Sequence, residues 1–210
     1  MLKTALTTVF FLLLAFVNPN AAPAADKQDD KTKYETAIFA GGLFWAMAPP
    51  FKDVPGVIEV TSGYTGGKDK NPTFHDVSSG KSDHVEAVRV IYNPSRVSYA
   101  QLLDVFWKNI DPTDAEGQFS ERGPQYRSVI FYLDDKQKAL AESSREKMGS
   151  SGKFDKPIVT EIVKASKFYD AGGPYQDLDK VNSKRTRFTI MKSISVRERF
   201  LEQIWGRERK

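Results

Sequence analysis

The sequence predicts an α+β sandwich, a sheet with helices packed on one or both of its faces. Three observations predict it. Strand and helix signals are mixed along the chain from Tyr34 onward. The 210 residues suit one ordinary domain with a short appendage and leave little room for two independent cores. A hydrophobic share of 40% against a charged share of 28% marks a globular chain, and an aromatic share of 12% can fill a sizeable core.

The elements follow in order. Residues 36–40 read as a short strand that Gly41-Gly42 breaks, and a helix begins at Leu43. Pro49-Pro50 stops or bends that helix after Ala48. Residues 57–64 read as a strand closed by the turn Thr65-Gly66-Gly67. Residues 84–92 alternate, with Val85, Ala87, Arg89 and Ile91 on one face and His84, Glu86, Val88, Val90 and Tyr92 on the other. Ser98 is the N-cap of a helix to about Asn109, whose apolar face is Leu102, Leu103, Phe106 and Trp107. Residues 126–132 form an apolar strand, and Asp134 caps a charged helix to Met148. Residues 158–163 form a strand, and residues 174–182 form a last short helix.

Residues 1–25 stand apart from the fold. Lys3 precedes an apolar run from Ala5 to Val17, followed by Asn18-Pro19-Asn20 and the small-residue site Ala22-Pro23-Ala24. A positive start, a short apolar core and an Ala-x-Ala site are the pattern of a secretory signal, cleaved after Ala24 or Ala25. The run falls short of the roughly 20 apolar residues a membrane span requires. A periplasmic or secreted protein with no stable membrane anchor is therefore expected, with 26–33 as a flexible polar lead-in and 34–210 as the domain.

Composition excludes several chemistries. The formal net charge of +4 is too slight and too evenly spread to argue nucleic acid. With no cysteine there are no disulfides, thiolate metal sites, iron–sulfur clusters or nucleophilic thiols. Two histidines would leave a zinc site dependent on several carboxylates, so no metal is expected.

Four places remain as candidates. At Gly41-Gly42-Leu43-Phe44-Trp45 a strand gives way to a helix, where backbone N–H groups favour an anion or a polarised nucleophile. Leu43 has nothing to polarise, and Phe44 with Trp45 fits either plain core or an aromatic wall. His84 and Glu86 share a face with Val88 and Val90, so Glu86 is either a carboxyl with a raised pKa, fit for general acid work, or a solvated strand end. The polar stretch Glu121 to Ser128 lines a cleft or is a solvated turn, and Gly63-Tyr64-Thr65-Gly66-Gly67 ends a strand with a tyrosine.

In this order the segments resemble the peptide methionine sulfoxide reductase A family. The resemblance runs from about Thr36 through Phe168. It includes the Gly-x-Phe-Trp segment, Gly56 to Gly67, Asn71-Pro72-Thr73, His84-Val85-Glu86-Ala87-Val88 and Leu103 to Trp107. It continues through Asp111-Pro112-Thr113-Asp114, Gln125-Tyr126-Arg127-Ser128 and Lys156 to Ile162. The resemblance implies a two-layer α+β sandwich with a ferredoxin-like core and a mixed sheet. It also implies reduction of methionine (S)-sulfoxide: a cysteine at the helix start attacks sulfur, a buried glutamic acid aided by two tyrosine hydroxyls protonates oxygen, and thioredoxin recycles the thiol.

Carried onto this chain, Phe44 and Trp45 match the methyl pocket, Glu86 the acid, and Tyr64 and Tyr126 the hydroxyl donors. Glu121 stands where the family usually has an aspartate, and Leu43 stands at the nucleophile position. Ala46 and Ser78 replace further cysteines, Ala48 a frequent glutamate, and Pro174-Tyr175-Gln176-Asp177 the usual Tyr-His-Gln-Asp. The expectation is a non-catalytic, methionine sulfoxide-binding pseudo-enzyme with no cofactor and no thiol for thioredoxin to recycle. The alternatives are an active or cysteine-replaced form of such a reductase and, from another class, a hydrolase using Ser78 or Ser79 with His84 and Glu86. Exported material should lack residues 1–24 or 1–25 by intact mass, and a mass that retains Met1 would refute the signal sequence.

Overall fold

The structure, a computed structural model, describes residues 33–176 and 184–206, with side chains described up to 176 and again from 195. The expected signal sequence and residues 26–32 lie outside the described residues. The chain runs β1 (Glu35–Ala40), α1 (Phe44–Lys52), β2 (Val57–Thr65), α2 (Phe74–Ser78), β3 (Val85–Tyr92) and α3 (Tyr99–Trp107). It continues through β4 (Gly117–Gln118), β5 (Glu121–Arg122), β6 (Val129–Tyr132), α4 (Asp135–Gly149), β7 (Glu161–Lys164), β8 (Tyr169–Asp170) and α5 (Lys184–Trp205).

Six strands form one sheet in the order β7-β6-β1-β3-β2-β8, antiparallel except for the parallel pair β6–β7. Its centre, β6-β1-β3-β2, holds the strands of the run β1-α1-β2-β3-α3-β6. That is the ferredoxin-like arrangement, so the sheet is mixed as expected. Alternation along the strands separates two cores. Ala37 and Phe39 of β1, Val88, Val90 and Tyr92 of β3, and Ile130 of β6 pack with Phe44, Met47 and Phe51 of α1, Leu102, Leu103 and Phe106 of α3, and Leu201 and Trp205 of α5. Ile38, Ala40, Val85, Ala87, Val129 and Phe131 point the other way, under Val163, Ala165 and Phe168. The helices therefore lie on one face, and an irregular segment covers the second.

Local chemistry accounts for most boundaries. Ser98 and Gln101 form a reciprocal capping box at α3, and the Asp134 carboxylate accepts from the Gln137 amide at α4. Pro49 and Pro50 do not end α1, which continues to Lys52. Tertiary packing overrides the local penalty here: Phe51 is fully buried and stacks on Phe39 with ring centroids 5.1 Å apart. The expected strand over 126–132 is shorter, because Pro124–Tyr126 close into a 3-10 turn before β6 starts at Val129. The strand expected over 158–163 is β7, displaced to Glu161–Lys164 by its pairing with β6. Of the short helix expected over 174–182, the described part is a 3-10 turn at Gly173–Tyr175, and 177–182 lie outside the described residues. The long α5 was not expected from the sequence at all.

Gly63 shows how closely the second face is covered. A Cβ there would stand 2.4 Å from the Tyr169 carbonyl oxygen and 2.4 Å from Phe168 Cε1. Gly63→Ala should therefore cost about 1–3 kcal/mol, read as a lower midpoint in urea, because both obstacles belong to the covering segment. An unchanged midpoint would show that this segment yields freely.

Candidate functional site

β1 delivers the chain into the turn Gly41-Gly42, where the backbone passes close to its neighbours. A Cβ on Gly41 would lie 2.5 Å from Ile110 Cγ2, and Gly42 takes a left-handed φ of +89°. The Gly42 amide donates to the Tyr126 carbonyl at 3.0 Å, tying the turn to the 3-10 segment before β6. Leu43 is the N-cap of α1 and not its first helical residue. Its carbonyl accepts from Ala46 and Met47, and its side chain, having no oxygen, caps nothing.

The cap comes from the sheet. The Phe44 amide, the first of α1, donates to Glu86 Oε2 at 3.0 Å. Glu86 reaches it because β3 alternation puts this side chain on the face of Val88 and Val90, which the structure turns toward the helices. The carboxyl is 1% exposed, and Oε1 has no hydrogen-bond partner in the structure. Burial pushes its pKa up to about 8; the Phe44 amide opposes this and the nearby Glu121 carboxylate adds to it. Near neutral pH Glu86 is therefore mainly a neutral acid with a proton to donate from Oε1.

Tyr64 pairs in register with Glu86 across β2 and β3, so both side chains stand on the helix-facing side. Its hydroxyl is also buried without a partner, and burial followed by the Glu86 charge raises its pKa well above the ordinary range. The Tyr126 hydroxyl is pushed up to about 12 by burial, then by Glu86, with Glu121 adding to the effect and a Gln125 hydrogen bond opposing it. Glu121 is buried on β5, where its Oε1 accepts from the Ser120 hydroxyl at 2.9 Å. The structure thus gathers Glu86, Tyr64, Tyr126 and Glu121 around one helix start, each a residue the sequence points to.

The apolar side is larger than the sequence suggests. Phe44 is fully buried and contacts three other rings: Trp45 at 5.6 Å, Tyr64 at 6.0 Å and Phe74 at 6.4 Å. Phe74 stacks on Tyr175 at 4.6 Å. Trp45, Phe74 and Tyr175 are half-buried. Phe44 is thus part of the core, with Trp45, Phe74 and Tyr175 packed against the same cluster. Phe74 was missed, although Thr73 with Asp76 is a capping box that marks the start of α2 and so places it. Arg197 of α5 was missed too: it is 3% exposed, donates to the Gly41 carbonyl and lies over the Phe119 ring at 4.9 Å.

His84 does not join the site. Its Nδ1 accepts from the Gly67 amide at 3.2 Å, its Nε2 donates to the Asp69 carbonyl at 2.9 Å, and its ring packs edge-on against Tyr169. The Ser79 hydroxyl donates to the His75 carbonyl. With both imidazole nitrogens holding the 67–69 turn, no Ser–His pair forms, and the hydrolase alternative loses its base. Among the described residues no three His, Cys, Asp or Glu side chains converge as metal ligands, and no helix is long and apolar enough to cross a membrane.

Comparison with known proteins agrees with this geometry. The family model for peptide methionine sulfoxide reductase matches residues 35–209. A peptide methionine sulfoxide reductase MsrA of Bacillus licheniformis is 48% identical over 176 residues, covering 84% of this chain and 96% of that protein. An MsrA of Ligilactobacillus salivarius is 47% identical over 172 residues, 82% of this chain and 98% of that protein. The crystal structure of Mxr1 from Saccharomyces cerevisiae in reduced form superposes with a TM-score of 0.64 at 28% identity, covering 75% of this chain and 92% of that one. Methionine sulfoxide reductase A of Corynebacterium diphtheriae gives 0.60 at 28% identity, over 68% and 72%. The ferredoxin-like sheet, the acid-capped helix start and a match that begins at β1 and runs on beyond α5 lead to one conclusion: the chain belongs to the peptide methionine sulfoxide reductase family.

Proposed function

We propose that this protein is a cysteine-free member of the family that binds methionine sulfoxide in exported or surface-exposed peptides without reducing it. The observation that carries the reading is a pair of buried donors without partners, Glu86 Oε1 and the Tyr64 hydroxyl, beside an aromatic wall. A sulfoxide presents the matching groups, a strongly accepting oxygen and an apolar methyl. Its oxygen satisfies both donors at once, which a thioether cannot do. The apolar group lies against Phe44 and Trp45.

Reduction requires a nucleophile that takes the oxygen and becomes oxidised. The chain holds no thiol, and the position at the helix start is Leu43. Leucine adds bulk and apolar surface there, which suits retention of the ligand and not its turnover. We expect weak binding, millimolar in order and worth about 4 kcal/mol.

Wild-type protein should reduce a dabsylated methionine sulfoxide no faster than the dithiothreitol background, and a rate like that of a working reductase would overturn the proposal. Leu43→Cys should restore at least a single turnover: the new Sγ attacks the sulfoxide sulfur while Glu86 protonates its oxygen, and that oxygen then passes from the methionine sulfur to Sγ as the S–S bond breaks, releasing the thioether and leaving a sulfenic acid. Detection of one sulfenic acid per chain by mass spectrometry checks this. Its absence, together with a lack of chemical shift changes on titration with methionine sulfoxide, would mean that the pocket has decayed.

The pH dependence has a definite sign. The binding form of Glu86 is the protonated one, so affinity should be flat below about 8 and fall roughly tenfold per unit above it. Stability should follow the same group, full near the ordinary glutamate range and declining as pH rises toward 8, because only the unfolded chain ionises freely there. Glu86→Gln keeps an acceptor for the Phe44 amide and a donor for the ligand, so it should bind with no pH step. Glu86→Ala should lose binding. Isothermal titration of the two variants between pH 6 and 9.5 measures both effects.

A further inference from the structure

We infer that the Phe74–Tyr175 stack is a specificity-determining subsite that takes an aromatic side chain next to the oxidised methionine of a peptide. The inference rests on the sulfoxide-binding reading and extends it by one residue of the ligand.

The stack is built, and it lies at the edge of the main core. Phe74 and Tyr175 lie nearly parallel, 17° between ring planes and 4.6 Å between centroids, and both are half-buried where core rings are fully buried. Phe74 is held from below by the Thr73–Asp76 capping box, in which the Thr73 amide donates to Asp76 Oδ2 at 3.0 Å and the Asp76 amide donates to Thr73 Oγ1 at 3.2 Å. Tyr175 is held from the other side by a strap. The Ala171 amide donates to the Ser62 carbonyl at 3.0 Å. The next-door Gln176 side chain accepts from the Ser62 amide at 2.8 Å and donates to the Ser62 carbonyl at 2.9 Å. A carboxamide here makes the two bonds that a paired strand would make to Ser62, two residues from Tyr64 along β2. Both rings are thus pre-positioned, which lowers the ordering cost of binding against them.

The position is what makes the stack a subsite. Tyr175 is near enough to raise the pKa of the Tyr64 hydroxyl, and Phe74 touches Phe44, so the stack adjoins both the polar and the apolar half of the sulfoxide pocket. A methionine side chain entering that pocket brings its backbone neighbours to the rim, where half-exposed ring surface already lies. Two parallel rings favour a third ring in an offset or edge-on arrangement over an aliphatic chain. Among the described residues, no atom lies within 4 Å of where a Cβ would be on Gly172 or Gly173, just before Tyr175.

The test titrates the full chain with three ligands, N-acetyl-methionine sulfoxide methylamide, a peptide with the oxidised methionine between glycines, and peptides with phenylalanine on either side of it. Wild type should bind one phenylalanine-flanked peptide about 3- to 10-fold more tightly than the glycine peptide. Tyr175→Ala should abolish that preference, so that the phenylalanine-flanked and glycine peptides bind this variant about equally, whereas Tyr175→Phe should retain it. Equal affinities for all peptides, or a preference that survives Tyr175→Ala, would overturn the subsite while the sulfoxide reading stands. No binding of the methylamide by wild type would overturn the sulfoxide reading and the subsite with it.

Discussion

The bond from the Phe44 amide to Glu86 Oε2 joins the first turn of α1 to the middle of the sheet, and the rest of the site depends on it. A helix start needs acceptors for its first amides, and Leu43 cannot supply one. Glu86 does so from β3, at the cost of burying a carboxyl group. The compensation is partial: the amide stabilises one oxygen, burial outweighs it, and the acid is held near neutrality with its second oxygen unsatisfied. The helix cap and the neutral acid are one arrangement seen from its two ends.

Other features hold that bond in place. The Gly41-Gly42 turn is narrow enough that only glycine passes Ile110 and Gln118 without displacement. Tyr126 grips it through its carbonyl on one side, and Arg197 of α5 grips it through the Gly41 carbonyl on the other. Between them these groups fix where α1 begins and therefore where Phe44 and Trp45 stand. On β2, the register that sets Tyr64 opposite Glu86 is pinned by β8 and by Gln176 at the adjoining Ser62. A set of donors and rings is thus held rigid around a position that bears only a leucine.

The extent to which the fold was legible depended on the range of the forces involved. Alternation on β3, the Ser98 and Asp134 caps and the glycine turns are local, and each element they define was found near its predicted place. α1 does not stop at Pro49-Pro50, because a long-range contact, Phe51 on Phe39, outweighs a local rule. The β7 boundaries shifted because a parallel partner chose them. α2 was missed although its Thr73–Asp76 box is written in the sequence, since five residues carry too little periodicity to be noticed.

The sequence alone determined the residue types available for chemistry: no thiol anywhere, a glutamate on the same face of β3 as Val88 and Val90, and an aromatic pair at a strand-to-helix turn. It could do so because composition and strand parity need no coordinates. Tertiary structure alone decided what those residues are. Glu86 becomes a raised-pKa acid because β2, β5 and α1 exclude water from it, and His84, equally suggestive in sequence, becomes a structural tie because Gly67 and Asp69 reach its nitrogens first. Phe74 and Tyr175 lie about a hundred residues apart and stack only because Gln176 returns the chain to β2. Burial and long-range pairing are properties of the folded chain, and they separate a donor that awaits an acceptor from one already satisfied.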